Sequence, residues 1–135
     1  MDKDVMLVDD DKDILTILGH IFSDLGWEPY VARNAADAIE LFKNIHPPLV
    51  LLDLRLSDGV GGVAVCKMIK EMAPLTLVVA MSGYFSEDYS ISHLRRSGFD
   101  HMMAKPIEQA ECVRLADVAV RCRTHWDELM GHGHK

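Results

Sequence analysis

The sequence predicts an α/β domain: a doubly wound, five-stranded parallel sheet with helices on both faces. Three observations lead there. Short apolar runs alternate with longer amphipathic stretches five times along the 135 residues. The two strongest runs, Val5-Met6-Leu7-Val8 and Leu49-Val50-Leu51-Leu52, are apolar at every position, which suits strands covered on both faces. A chain of this length supports one core and not two. Strand–helix alternation of this kind joins parallel strands through crossover helices.

Each element has its own signal. Val5-Met6-Leu7-Val8 forms the first strand and runs into Asp9-Asp10-Asp11. Ile14, Leu15, Leu18, Ile21, Phe22 and Leu25 recur at helical spacing; Asp11 caps that helix and Gly26 stops it. Residues 29–32 are a weaker second strand. Asn34 caps the second helix with Asp37 three positions on. Its inner stripe is Ala35, Ala38, Ile39, Phe42 and Ile45, and Pro47-Pro48 end it. The third strand ends in Asp53, and Gly59, Gly61 and Gly62 mark the loop beyond. Val65, Cys66, Ile69 and Met72 are the inner face of the third helix. Residues 75–81 form the fourth strand, ending at Ser82-Gly83. Ser86-Glu87-Asp88 start a fourth helix whose few apolar residues (Tyr89, Ile91, Leu94) make it the most loosely packed. Residues 100–104 are a short fifth strand leading into Lys105-Pro106. The last helix carries Val113, Ala116, Ala119 and Val120, and a second stripe of Leu115, Val118, Cys122, Trp126 and Leu129 takes it to Met130. Residues 1–122 are therefore read as the domain, and 123–135 as a helical extension with a disordered tail.

Composition narrows the function. Fourteen basic residues against twenty-one acidic ones leave a net charge of −7, which argues against direct nucleic-acid binding, since phosphate contacts need clustered Lys and Arg. Residues 1–13 hold six Asp and two Lys, so more than half of the excess negative charge sits around the end of the first strand. No apolar run approaches the ~18 residues of a membrane span, and the N-terminus lacks a secretory leader. The expected location is the cytoplasm, without membrane contact. Cys66, Cys112 and Cys122 are odd in number and lack C-x-x-C spacing, so they read as reduced, core-facing thiols. The seven His are scattered. His20 and His46 fall on helix surfaces, His132 and His134 in a Gly-rich tail, and no zinc site is expected.

In an open parallel sheet, ligands bind beyond the carboxyl ends of the strands, where strand order reverses. The polar residues there are Asp9 and Asp10 after the first strand, Asp53 after the third, Ser82 after the fourth and Lys105 after the fifth. In the flavodoxin-like order 2-1-3-4-5 the first and third strands are neighbours, and Asp9, Asp10 and Asp53 converge. Three converging carboxylates repel one another, and a hard divalent cation such as Mg²⁺ (or Mn²⁺) relieves that. Lys105 adds an ammonium and Ser82 a hydroxyl. Together these are the groups that phosphoryl transfer to an aspartate requires. The plainer alternative is that Asp9, Asp10 and Asp11 only cap the first helix.

Leu7-Val8-Asp9-Asp10, Leu51-Leu52-Asp53-Leu54, Met81-Ser82-Gly83 and Lys105-Pro106 resemble, in order and spacing, the four signatures of the receiver domain of bacterial two-component response regulators, which are CheY-like. The resemblance covers residues ~4–122. It implies that Asp53 accepts a phosphoryl group from the phosphohistidine of a sensor histidine kinase or phosphotransfer protein. It implies that Asp10 ligates Mg²⁺ directly and Asp9 through water, and that the Arg55 carbonyl supplies a further ligand. Lys105 would contact the phosphoryl group, with Pro106 after a cis peptide bond. Ser82 would move onto the phosphorylated Asp, and the surface around the fourth helix, fifth strand and fifth helix would change for a protein partner. Such a domain is a signalling module that catalyses its own phosphorylation and slow dephosphorylation.

The sequence departs from the family pattern in three places. Met102 stands where an aromatic switch residue is usual, and a flexible Met can fill the same space. Ser57 replaces a frequent Pro. Gly83 replaces a common Ala and leaves the phosphoryl group more open to water. Arg55 and Tyr84 flank the entrance and are expected to set the dephosphorylation rate. Two other functions compete: a phosphorylation-independent interaction module on the same fold, and a phosphohydrolase of the haloacid-dehalogenase type, whose second acid is absent from Asp53-Leu54-Arg55. The extended last helix reads as a self-association or partner helix, a homodimer being one form of this, as a linker to a further domain, or as plain packing. A chain without a further domain would signal through protein contacts alone.

Overall fold

A computed structural model describes residues 3–56, 59–83 and 90–130, with side chains to 122. Five strands alternate with five helices: β1 (Asp4–Val8), α1 (Lys12–Asp24), β2 (Glu28–Ala32), α2 (Ala35–Ile45), β3 (Leu49–Asp53), α3 (Gly62–Met72), β4 (Leu77–Ser82), α4 (Ile91–Arg96), β5 (His101–Ala104) and α5 (Gln109–Met130). The sheet is parallel, in the order β2-β1-β3-β4-β5.

The period-two pleat divides each apolar strand between two cores. Met6, Val8, Val50, Leu52, Val78 and Ala80 join Phe42 of α2, Ile69 of α3 and Leu94 of α4. Val5, Leu7, Leu49, Leu51, Val79 and Met81 join Leu18 and Phe22 of α1 and Cys112 and Ala119 of α5. Both faces are therefore covered, which is why Val5 to Val8 of β1 and Leu49 to Leu52 of β3 are apolar throughout.

The expected caps form. Asp11 accepts from the Asp13 N–H at 2.9 Å. Asn34 accepts from the Asp37 N–H at 2.8 Å and its amide donates back to the Asp37 carboxylate at 3.1 Å. Past α1, Gly26 adopts φ +87°, a conformation that favours glycine.

Several expectations need correction. Met72 is exposed, because Ala73, one turn beyond Ile69, takes the inner seat at the end of α3. Val113 is exposed too, since Cys112, Leu115, Ala116 and Ala119 form the buried stripe of α5. Cys122 is exposed, unlike Cys66 and Cys112. Val118 lines one hollow with Leu77, the first residue of β4, so Cys122 lies a helical turn past the sheet. Leu75 precedes β4 and is exposed. α4 begins at Ile91, where Ser90 accepts from the His93 N–H at 3.2 Å. The expected start at Ser86-Glu87-Asp88, and Tyr89, lie outside the described residues, as do the side chains of Trp126 and Leu129 and the tail.

A clasp not anticipated from the sequence closes the opposite end of the sheet. Lys70 Nζ lies 2.7 Å from both the Asp100 carboxylate and the Thr76 carbonyl. The same Asp100 oxygen accepts from the Val78 N–H at 2.9 Å. The C-terminal turn of α3, the loop before β4 and the residue before β5 are thus tied at one point.

Candidate functional site

The central strands end level with one another. β1 and β3 pair as far as Val8 and Leu52, β3 and β4 as far as Asp53 and Met81, and β4 and β5 as far as Ser82 and Ala104. The residues just beyond therefore collect on one edge. Carboxylate oxygens of Asp9, Asp10 and Asp53 all lie within 4.8 Å of one another. Asp9 is fully buried and Asp53 is 6% exposed.

Backbone contacts hold the acids in place. The Asp9 N–H donates to the Ala32 carbonyl at 3.1 Å. Asp9 Oδ1 accepts from the Asp11 N–H at 2.9 Å, and Asp53 Oδ1 from the Arg55 N–H at 3.3 Å. Gly62 N–H donates to the Leu54 carbonyl at 3.0 Å. Glycine is required there, because a Cβ would stand 2.5 Å from the Asp53 carbonyl oxygen.

Lys105 enters from β5, its backbone N–H on the Ser82 carbonyl at 2.8 Å. Its Nζ lies 2.9 Å from Asp9 Oδ2 and 3.5 Å from Asp53 Oδ2. The contact with Asp9 is charge pairing without an aligned hydrogen bond, so Asp9 Oδ2 is a buried oxygen still short of a donor. Burial, with the Asp9 charge beside it, pushes the Asp53 carboxyl from the usual 3.8 up to about 6, against the pull of Lys105 and the Arg55 N–H. Burial draws the Lys105 ammonium down, but Asp9 and Asp53 outweigh it and hold the group above its ordinary value.

One ammonium cannot balance three carboxylates. A hard, oxygen-seeking divalent cation fits this donor set, and the under-satisfied Asp9 oxygen is where the shortfall is felt. The edge thus combines a nearly buried carboxylate, an acid pair whose chemistry suits a cation, and an ammonium.

The family profile described as the response regulator receiver domain matches residues 5–117. The chain belongs to that family. The regulatory protein AtoC of Escherichia coli (strain K12) is 27% identical over 125 residues, covering 93% of this receiver domain chain and 27% of AtoC. The DNA-binding transcriptional regulator NtrC of the same strain is 29% identical over 124 residues, 92% of this chain and 25% of NtrC. A crystal structure of NtrX from Brucella abortus superposes with a TM-score of 0.86 at 29% identity, over 97% of this chain and 29% of that one. The receiver domain chain therefore spans about a quarter of the length of the curated relatives it matches.

Within the receiver domain, Asp9, Asp10, Asp53 and Lys105 come together as the sequence predicts. Ser82 is buried at the end of β4. Met102 of β5 pairs with Ala80 of β4 and is partly buried against the α2–α3–α4 core. Gly83 borders open space, since a Cβ there would meet nothing within 4 Å. The Lys105–Pro106 bond is cis. Tyr84 and Ser57 lie outside the described residues. The sequence reading, which takes strand-end residues from four strands, omits the second. Arg33, the first residue past β2, donates from Nη2 to the Asp10 carbonyl at 3.2 Å. Its place on the carboxyl edge of the sheet was the available signal.

Proposed function

We propose that the domain accepts a phosphoryl group on Asp53 from the phosphohistidine of a sensor kinase or phosphotransfer protein. The observation that carries this reading is the nearly buried Asp53 carboxylate, facing Lys105 at 3.5 Å and clustered with the carboxylates of Asp9 and Asp10. An Asp53 oxygen attacks phosphorus. The new P–O bond forms as the P–N bond to the donor imidazole breaks, and the departing nitrogen keeps the electron pair. Asp9, Asp10, Asp53 and the Arg55 carbonyl would hold Mg²⁺ or Mn²⁺. When bound, the cation neutralises charge on the carboxylates and on the phosphoryl oxygens.

The chain's own groups do the positioning. Asp53 is held by the Arg55 N–H and by the close approach of Gly62. Lys105 exchanges its contact with Asp9 for a phosphoryl oxygen, and Ser82 supplies the hydroxyl donor. Met102 occupies the space that Ser82 leaves behind. These contacts bias a two-state equilibrium of the α4–β5–α5 surface, which a downstream protein reads. Gly83, Arg55 and Tyr84 set how readily water reaches the acyl phosphate. The domain so acts as a cytoplasmic signalling module that catalyses its own phosphorylation and slow dephosphorylation. Residues 1–122 are its working unit, and α5 beyond them serves a homodimer. DNA binding belongs to the full-length relative named for it, and this acidic domain itself takes no nucleic acid.

The test is intact mass after incubation with Mg²⁺ and acetyl phosphate, beside Asp53→Ala. One phosphate, about 80 Da, on the wild type alone and lost with EDTA is expected. Absence of an adduct together with absence of beryllofluoride binding would overturn the reading.

A further inference from the structure

Arg33 reaches across from the β2–α2 turn to the loop that carries the acids. Its Nη2 donates to the Asp10 main-chain carbonyl at 3.2 Å. The neighbouring acid Asp37 is engaged by Asn34 through two hydrogen bonds. Arg33 is therefore directed at the β1–α1 loop, across a surface notch of about 490 Å³ lined by Asp10, Val31, Ala32, Arg33, Asn34 and Asp37.

Among the described residues, the loop has fewer anchors at Asp10 than at the acids on either side. Asp9 is fixed by its N–H on Ala32 and its carboxylate on the Asp11 N–H. Asp11 is fixed as the cap of α1. Between them, the Asp10 carbonyl is held by the Arg33 guanidinium.

We propose that Arg33 is a positioning residue for the cation: by holding the Asp10 backbone it sets how tightly the acid cluster binds Mg²⁺. The inference rests on the reading of Asp9, Asp10 and Asp53 as cation ligands. Groups that orient metal ligands without touching the metal commonly change affinity about 10- to 100-fold, and a single exposed hydrogen bond gives less than that.

The sign of the effect separates this role from simple electrostatics. Arg33 is a positive charge beside an acidic site, so charge alone predicts that its removal tightens Mg²⁺ binding. Positioning predicts the opposite. Arg33→Ala removes both charge and donor. Arg33→Gln removes the charge and keeps a donor amide.

The experiment is titration calorimetry of Mg²⁺ into the full chain, wild type beside both variants, with acetyl-phosphate labelling rates measured against Mg²⁺ concentration. Arg33→Ala should bind Mg²⁺ about 3- to 10-fold more weakly. Its labelling rate at saturating Mg²⁺ should match wild type, and Arg33→Gln should recover most of the affinity. Equal or tighter binding by Arg33→Ala, or a lowered rate at saturating Mg²⁺ with unchanged affinity, overturns the role of Arg33 and leaves the cation site standing. A wild type that binds no Mg²⁺ overturns the underlying reading as well.

Discussion

Asp53→Asn should make the metal-free domain more stable, although it destroys the proposed phosphorylation site. The carboxyl titrates near 6 in the folded chain against 3.8 ordinarily, because it is buried and faces Asp9. Between those values the folded state holds the proton that the unfolded chain has already released. Stability therefore falls as pH rises through that window, and the full penalty stands above about pH 6. A displacement of about two units corresponds to about 3 kcal/mol, and sharing the charge with Asp9 and Lys105 brings the expectation to about 1–3 kcal/mol. Asparagine keeps an oxygen for the Arg55 N–H, which lies 3.3 Å from Asp53 Oδ1, while shedding the charge. Thermal unfolding at pH 7.5 in EDTA should show the variant melting about 3–10 °C higher. At pH 4 the difference should nearly vanish. Mg²⁺ at a hundred times its dissociation constant should then raise wild type by about 2.7 kcal/mol and close or reverse the gap. A variant equal to or less stable than wild type in EDTA at pH 7.5 would refute the reasoning, since the cluster would then carry no net repulsion.

The other predictions concern the site's surroundings. Lys105→Met removes the ammonium that now sits 2.9 Å from Asp9, so Mg²⁺ should bind about 3- to 30-fold tighter by calorimetry while acetyl-phosphate labelling slows about 100-fold. Gly62→Ala brings a Cβ to 2.5 Å from the Asp53 carbonyl oxygen. Urea unfolding should show a loss of about 2–4 kcal/mol, and labelling at Asp53 should fall with it. Lys70→Met strips the ammonium from Asp100 and from the Thr76 carbonyl, leaving the Asp100 carboxylate only the Val78 N–H among the described contacts, and should lower stability by about 1–2 kcal/mol with the labelling rate unchanged.

Much of the arrangement could be read before any coordinates. Val5 to Val8 and Leu49 to Leu52 carry their own assignment, since a strand covered on both faces has no place for a polar residue. Once those two strands are neighbours, Asp9, Asp10 and Asp53 have to meet, and Lys105 follows from the same edge. What stayed hidden depends on distances that periodicity does not encode. Cys122 continues the stripe of α5 and looks buried until the helix is seen to outrun the sheet. Met72 loses its seat to Ala73 by a single residue. Ser90 is as good a cap by its residue type as Ser86, and among the described residues α4 starts from Ser90, which accepts from the His93 N–H. Arg33 and the Lys70–Asp100 clasp join residues 23 and 30 positions apart through flexible side chains. No local pattern announces such pairs.

The division of the sheet between two cores also bears on how this sequence can drift over generations. Each strand is read in twos, like text in a fixed frame. Losing one residue from β1 would exchange Met6 and Val8 with Val5 and Leu7 and turn Asp9 away from Lys105 in the same stroke. Loops are free of that grammar. Turns between elements can lengthen or shorten while the strand ends stay aligned. Change in this protein should therefore accumulate as insertions at the turns and as paired substitutions within strands, and single-residue deletions inside β1 or β3 should be the rarest survivors.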